Sequence, residues 1–187
     1  KRSYVLNKGM FNNINKITRK EIFSIGLIII LALSRMLPHA PNFTPVIAVA
    51  IMSGYLFSNI KHCFLIVFFS MLVTDFFLGF YNNMVFVYGS LFLITFIFYK
   101  VSKKISLKNL FVYSFAGSLI FFILSNFGVW ALGSVAVNGV PYEKSLSGLI
   151  ECYFYAIPFF GNVFISTIIF SYSALGASYI FDKKIYN

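Results

Sequence analysis

Two ionisable residues of this chain stand where ionisable residues are expensive. Arg35 closes one long apolar run and Asp75 lies near the end of another, and a charge inside a bilayer costs at least about 2.5–3.5 kcal/mol on insertion scales. Both positions fall near the same end of their runs, so a guanidinium and a carboxylate at one depth could neutralise each other and fasten two helices together. The same groups could equally orient a polar solute. Arg35 also opens the segment Arg35-Met-Leu-Pro-His-Ala-Pro-Asn-Phe-Thr-Pro45, where His39 and Asn42 sit among three prolines. Prolines fix backbone torsions and remove amide donors, so this elbow can hold polar groups in place at little ordering cost. An imidazole there can both donate and accept a hydrogen bond, either to water as an exposed loop residue or to a ligand.

Other polar and aromatic residues share that end of the runs: Tyr81, Asn82 and Asn83, then Asn126 and Trp130, Tyr142, and Glu151, Tyr153, Tyr155 and Asn162. Any single Tyr or Trp could belong to an interfacial aromatic belt. Their concentration on one side predicts a pocket lined by Arg35, His39, Asn42, Asp75, Tyr81, Asn126, Trp130 and Glu151 and open to the outside. No catalytic pair, metal-ligand spacing, Gly-x-Ser-x-Gly or phosphate-binding loop accompanies them. The expectation is a non-enzyme that needs no cofactor and no metal. Cys63 and Cys152 fall on opposite sides and are read as unpaired packing residues; His62, beside Lys61, is read as an interface residue.

The elements that must position these groups follow from composition. Hydrophobic residues make up 59% of the chain and charged ones 11%, a balance that could not keep a surface wet. Apolar runs recur that approach the roughly 20 residues a helix needs to cross about 30 Å of hydrocarbon, and they lack the alternation of a barrel strand. The reading is an all-α integral membrane protein, a bundle of six transmembrane helices over residues 18–37, 43–58, 62–80, 84–99, 108–132 and 157–181. Residues 1–17 form a cytoplasmic segment and 18–187 a single domain. The stretch 145–157 is read as a short outer or re-entrant helix that Pro158 separates from the last span. The first run lacks a small-residue cleavage site and is expected to stay attached.

Lysine and arginine gather before the first span, at Lys61, around Lys100 to Lys108 and at Lys183 and Lys184, whereas the alternate loops hold only Lys144. The positive-inside rule then places both termini in the cytoplasm and the elbow outside. The net charge of +10 is a topology signal with attraction for anionic lipid headgroups, and calls for no nucleic acid.

The elbow, Thr74-Asp75 through Gly79-Phe80, Ser125-Asn126-Phe127-Gly128-Val129-Trp130, and Cys152-Tyr153 through Ala156-Ile157-Pro158-Phe159-Phe160-Gly161-Asn162 together resemble a family of small bacterial transport proteins. That family is related to the substrate-binding S components of energy-coupling factor (ECF) transporters, including the solitary cobalamin-uptake relatives. The resemblance covers residues 35–162 and implies a six-helix protein of the bacterial inner membrane that binds a vitamin or similar micronutrient outside and delivers it inward. The partner it implies is an ECF energising module, a transmembrane coupling protein with its ATPases. Two features differ from that pattern. No cysteine stands in 81–88, where a cobalamin carrier would ligate cobalt, and the first span lacks an Ala-x-x-x-Ala docking patch. A different reading of the same residues is a membrane scaffold whose outer face binds a protein.

Overall fold

The computed structural model describes residues 19–102, 105–134 and 139–186, so the expected segment 1–17 and Lys103 and Lys104 lie outside the described residues. It is all-helical there, with six helices: α1 Arg19–Ser34, α2 Val46–Leu56, α3 Ile60–Leu78, α4 Met84–Val101, α5 Leu107–Ala131 and α6 Leu146–Tyr186. Four of them, α3, α4, α5 and α6, are long and apolar enough to cross a membrane, while α1 and α2 are shorter.

The arrangement is five helices around one. Helix α2 packs against every other helix, and each outer helix touches only α2 and its two neighbours, in the ring order α1, α3, α4, α5, α6 and back to α1. A stack of Phe23 on Phe181, with ring centroids 4.0 Å apart, joins α1 to α6. Sequence explains the central place of α2. Its eleven residues carry no charge, and Ile47 through Gly54 are all buried, as a helix apolar on every side must be. The missing side chain of Gly54 lets α2 approach the α4 backbone: a Cβ there would fall 2.6 Å from the amide nitrogen of Tyr99.

The outer ring is apolar on its outside as well. Phe76, Phe77, Val85, Ile123, Ile150, Phe154 and Ile157 are all exposed, apolar area that water would penalise and a hydrocarbon phase would not. Polar contacts run between helices instead. Ser118 donates to Thr167 at 3.2 Å across α5 and α6, and Tyr172 donates to the carbonyl of Leu107 at 2.5 Å.

Helix boundaries carry readable signals. Asn59 caps α3 by accepting from the Lys61 amide at 2.9 Å, Ser106 caps α5 by accepting from the Asn109 amide at 3.2 Å, and α3 stops at Gly79 with φ 98°, a torsion that glycine tolerates. The expected division at Pro158 is not found. Pro158 lies inside one continuous helix, α6. Proline removes a single amide donor, and in an apolar bundle neighbouring helices hold the segment in line. Here Tyr153 donates to the Ile123 carbonyl at 2.7 Å and the Cys152 thiol to the Asn126 carbonyl at 3.5 Å, tying the first turns of α6 to α5.

Candidate functional site

A single helical fact creates the site. Eleven residues at about 1.5 Å each make α2 about 16 Å long, roughly half of the hydrocarbon thickness that α3, α4, α5 and α6 are each long and apolar enough to cross. The other half of the bundle axis is open. A cavity of about 310 Å³ occupies it, with Val46 and Ile47 of the first turn of α2 at one end of its lining.

Each surrounding element contributes according to its position. The last turns of α5 supply Phe121, Phe122, Ser125, Asn126 and Val129; the first half of α6 supplies Ala156, Phe159, Phe160 and Val163. Met71 comes from α3, Val87 from α4, and Tyr81 and Asn83 from the turn between them, while the elbow adds Arg35, Asn42 and Thr44. Aromatic contacts stiffen one wall, where Phe122 meets Phe160 edge-on at 5.4 Å. The elbow is strapped across the same end, since the Asn162 amide donates to the Pro41 carbonyl at 3.0 Å. Asn42 adopts φ 60°, a left-handed torsion that Asn accepts more readily than most residues.

The suspected charges do meet. Arg35 Nη1 lies 2.5 Å from Asp75 Oδ1 and donates to Thr74 Oγ1 at 2.8 Å, and Tyr88 donates to Asp75 Oδ2 at 2.8 Å. The Asp75 side chain is wholly buried whereas Arg35 keeps 14% exposure. The carboxylate is therefore behind the wall and the guanidinium in it. Burial, then the Asp75 carboxylate, pushes the Tyr81 phenol up to about 12 against the opposing pull of Arg35. Tyr81 stays a neutral donor and acceptor at physiological pH.

Four residues expected in the pocket, Arg35, Asn42, Tyr81 and Asn126, line the cavity, and Asp75 reaches it through Arg35. His39, Trp130 and Glu151 do not line it. His39 is exposed and folds back on its own elbow, its ring nitrogens 2.9 Å from the Ala40 carbonyl oxygen and 3.1 Å from that of Arg35. Trp130 turns to the loop after α5, donating to the Glu143 carbonyl at 2.9 Å, with the Lys144 ammonium over its ring. Glu151 is exposed on the first turns of α6. Sequence reasoning passed over Thr44, Ser125 and the four Phe walls as site residues, and placed Asn83 at this end without naming it in the pocket. Ser125 beside Asn126 was the available signal. Both cysteines are free and buried.

A second cavity of about 300 Å³ lies between α1 and α3 toward the other end, but apart from Glu21 and His62 its lining is apolar, and Leu65 and Phe69 open onto the bundle exterior. Convergent polar groups in an apolar enclosure mark the first cavity as the ligand-site candidate. Among the described residues no group of His, Cys, Asp and Glu could hold a metal ion.

A family model matches residues 15–187. The chain belongs to DUF6580, a family of unknown function. The match takes in all six helices and the elbow, so the whole cavity lies within the DUF6580 region. No curated protein and no solved structure matches the chain.

Proposed function

We propose that this DUF6580 protein is a micronutrient-uptake protein of the bacterial inner membrane, built like an ECF S component and binding its solute from outside. In this reading all six helices lie in the membrane, α2 as a half-span whose missing length is the binding site, and both termini face the cytoplasm. The observation that carries it is the cavity itself: polar groups from the elbow, the α3–α4 turn and α5 converge at one end of the bundle axis, facing an apolar wall from α6. Charge supports the orientation, because Lys61, Lys100, Lys108 and Lys183 belong to the other end, the one the positive-inside rule assigns to the cytoplasm. Its resemblance to S components adds the energising module as the partner for inward delivery. The exposed positions of His39 and Glu151 favour the second reading, a scaffold gripping a protein at the same face.

Depletion of small molecules from the medium tests the proposal. Cells producing the wild-type chain should remove one compact polar compound faster than cells producing Asn126→Leu, as read by mass spectrometry of the spent medium. Equal depletion across all compounds refutes uptake through this cavity.

A further inference from the structure

The class of solute is written in the state of one side chain. Arg35 is the only charged residue lining the cavity among the described residues, and its charge is already met by Asp75 Oδ1 at 2.5 Å, while Tyr88 occupies the other carboxylate oxygen. An anionic solute would have to compete with a fully buried carboxylate for the guanidinium, and losing that contest would leave a charge against Phe121, Phe122, Phe159 and Phe160. A cationic solute finds no carboxylate in the wall. Either outcome leaves a charge without an opposite partner, in the cavity or behind its wall, which costs more than placing a neutral polar group there.

The uncharged polar groups describe the rest. Asn126 spends one amide hydrogen on the Phe122 carbonyl at 2.8 Å, leaving a donor and an acceptor, and Asn42 brings a second carboxamide into the lining. A primary amide pairs at two points with a neighbouring donor and acceptor, as Asn does with the edge of adenine. Phenyl walls favour a flat ring, whose faces they can stack on or meet edge-on. The volume of about 310 Å³ is near the lower end of ligand sites, roughly 300–1,000 Å³, and equals the liquid volume of about ten waters at about 30 Å³ each. That accommodates one or two fused rings.

Resting on the uptake function proposed above, we infer that the cavity takes a compact, planar, uncharged heterocycle with a donor beside an acceptor on its edge, and that Asp75 enforces the neutrality. Nicotinamide and nicotinate make a matched pair of probes, since they share a ring and differ in carrying a carboxamide or a carboxylate. Titrated into the purified full chain at millimolar concentration, wild type should bind nicotinamide about tenfold or more tightly than nicotinate, each factor of ten reflecting about 1.4 kcal/mol. Asp75→Asn, which frees the guanidinium, should reverse the order. The double variant Arg35→Gln, Asp75→Asn removes both charges and should restore the preference for nicotinamide, which keeps the test decisive if the single variant does not fold. A wild-type preference for nicotinate that Asn126→Leu abolishes overturns the neutrality rule and leaves the binding cavity standing. Binding of neither probe by wild type overturns the inferred class, and medium depletion by the wild-type chain then decides separately whether the uptake function falls with it.

Discussion

Removing Arg35 should cost this protein more than removing the charge of Asp75, and the asymmetry follows from where each group lies. In Arg35→Ala the Asp75 carboxylate, wholly buried, keeps only the Tyr88 hydroxyl at 2.8 Å and loses its 2.5 Å cation contact. Breaking a buried ion pair from one side costs about 3–5 kcal/mol because the remaining charge is uncompensated. At about 2–4 °C per kcal/mol for a chain of this size, the melting temperature should fall by roughly 6–20 °C. In Asp75→Asn the orphaned guanidinium borders a cavity and can be hydrated there, so the drop should be smaller. Combining the two changes removes the stranded charge, and the double variant should be more stable than the sum of the single losses predicts by more than about 0.5 kcal/mol. Thermal melts of the four proteins in one detergent make the comparison. Strict additivity, or a larger loss from Asp75→Asn than from Arg35→Ala, refutes the buried-pair reasoning.

Three further outcomes follow. Gly54→Ala should destabilise strongly, because its Cβ would meet α4 backbone atoms at 2.6–2.9 Å, whereas Gly89→Ala, with nothing within 4 Å, should gain about 0.5–1 kcal/mol from helix propensity; paired melting curves distinguish them. In a background lacking Cys63 and Cys152, a cysteine replacing Lys144 should react with an impermeant thiol reagent in intact cells, and one replacing Lys61 only after permeabilisation; the opposite pattern reverses the orientation. Tyr81 titrates higher in the folded chain, near 12 rather than its usual 10, so the folded state holds this proton more firmly and stability falls as pH rises from about 10 to about 12. Tyr81→Phe should lose less stability than wild type across that interval in pH-dependent melts, and identical slopes would show that the phenol carries none of it.

The sequence and the structure agree most closely where cost is highest. An arginine and an aspartate in apolar runs had few partners open to them, and the pairing of Arg35 with Asp75 was visible from their shared depth alone. The elbow was legible for a related reason, since three prolines leave a chain few conformations. Less was visible in the phenylalanines. Phe76 and Phe77 face the exterior while Phe121 and Phe159 line the cavity, yet all are equally apolar letters, because a membrane protein is greasy on both sides of each helix and periodicity loses its contrast. The continuity of α6 through Pro158 was hidden likewise, its first turns being held by α6 side chains that donate to backbone carbonyls of α5, contacts that no local pattern announces. His39 and Trp130 were correctly read as belonging to the elbow end, but their orientation depended on backbone carbonyls of Arg35, Ala40 and Glu143, which leave no mark in residue type. The cavity followed from length. A run of only eleven helical residues between Pro45 and Phe57 leaves half an axis unfilled, a feature that helix boundaries loose by several residues concealed.

If this unfilled half-axis holds a small molecule, native mass spectrometry of the purified chain will detect it. Wild type, released gently from detergent, should carry one small compound, and Val129→Trp, which adds bulk at a residue of the cavity lining, should fold and carry none. The same adduct on both proteins, or none on wild type even after exposure to a cell extract, contradicts the account.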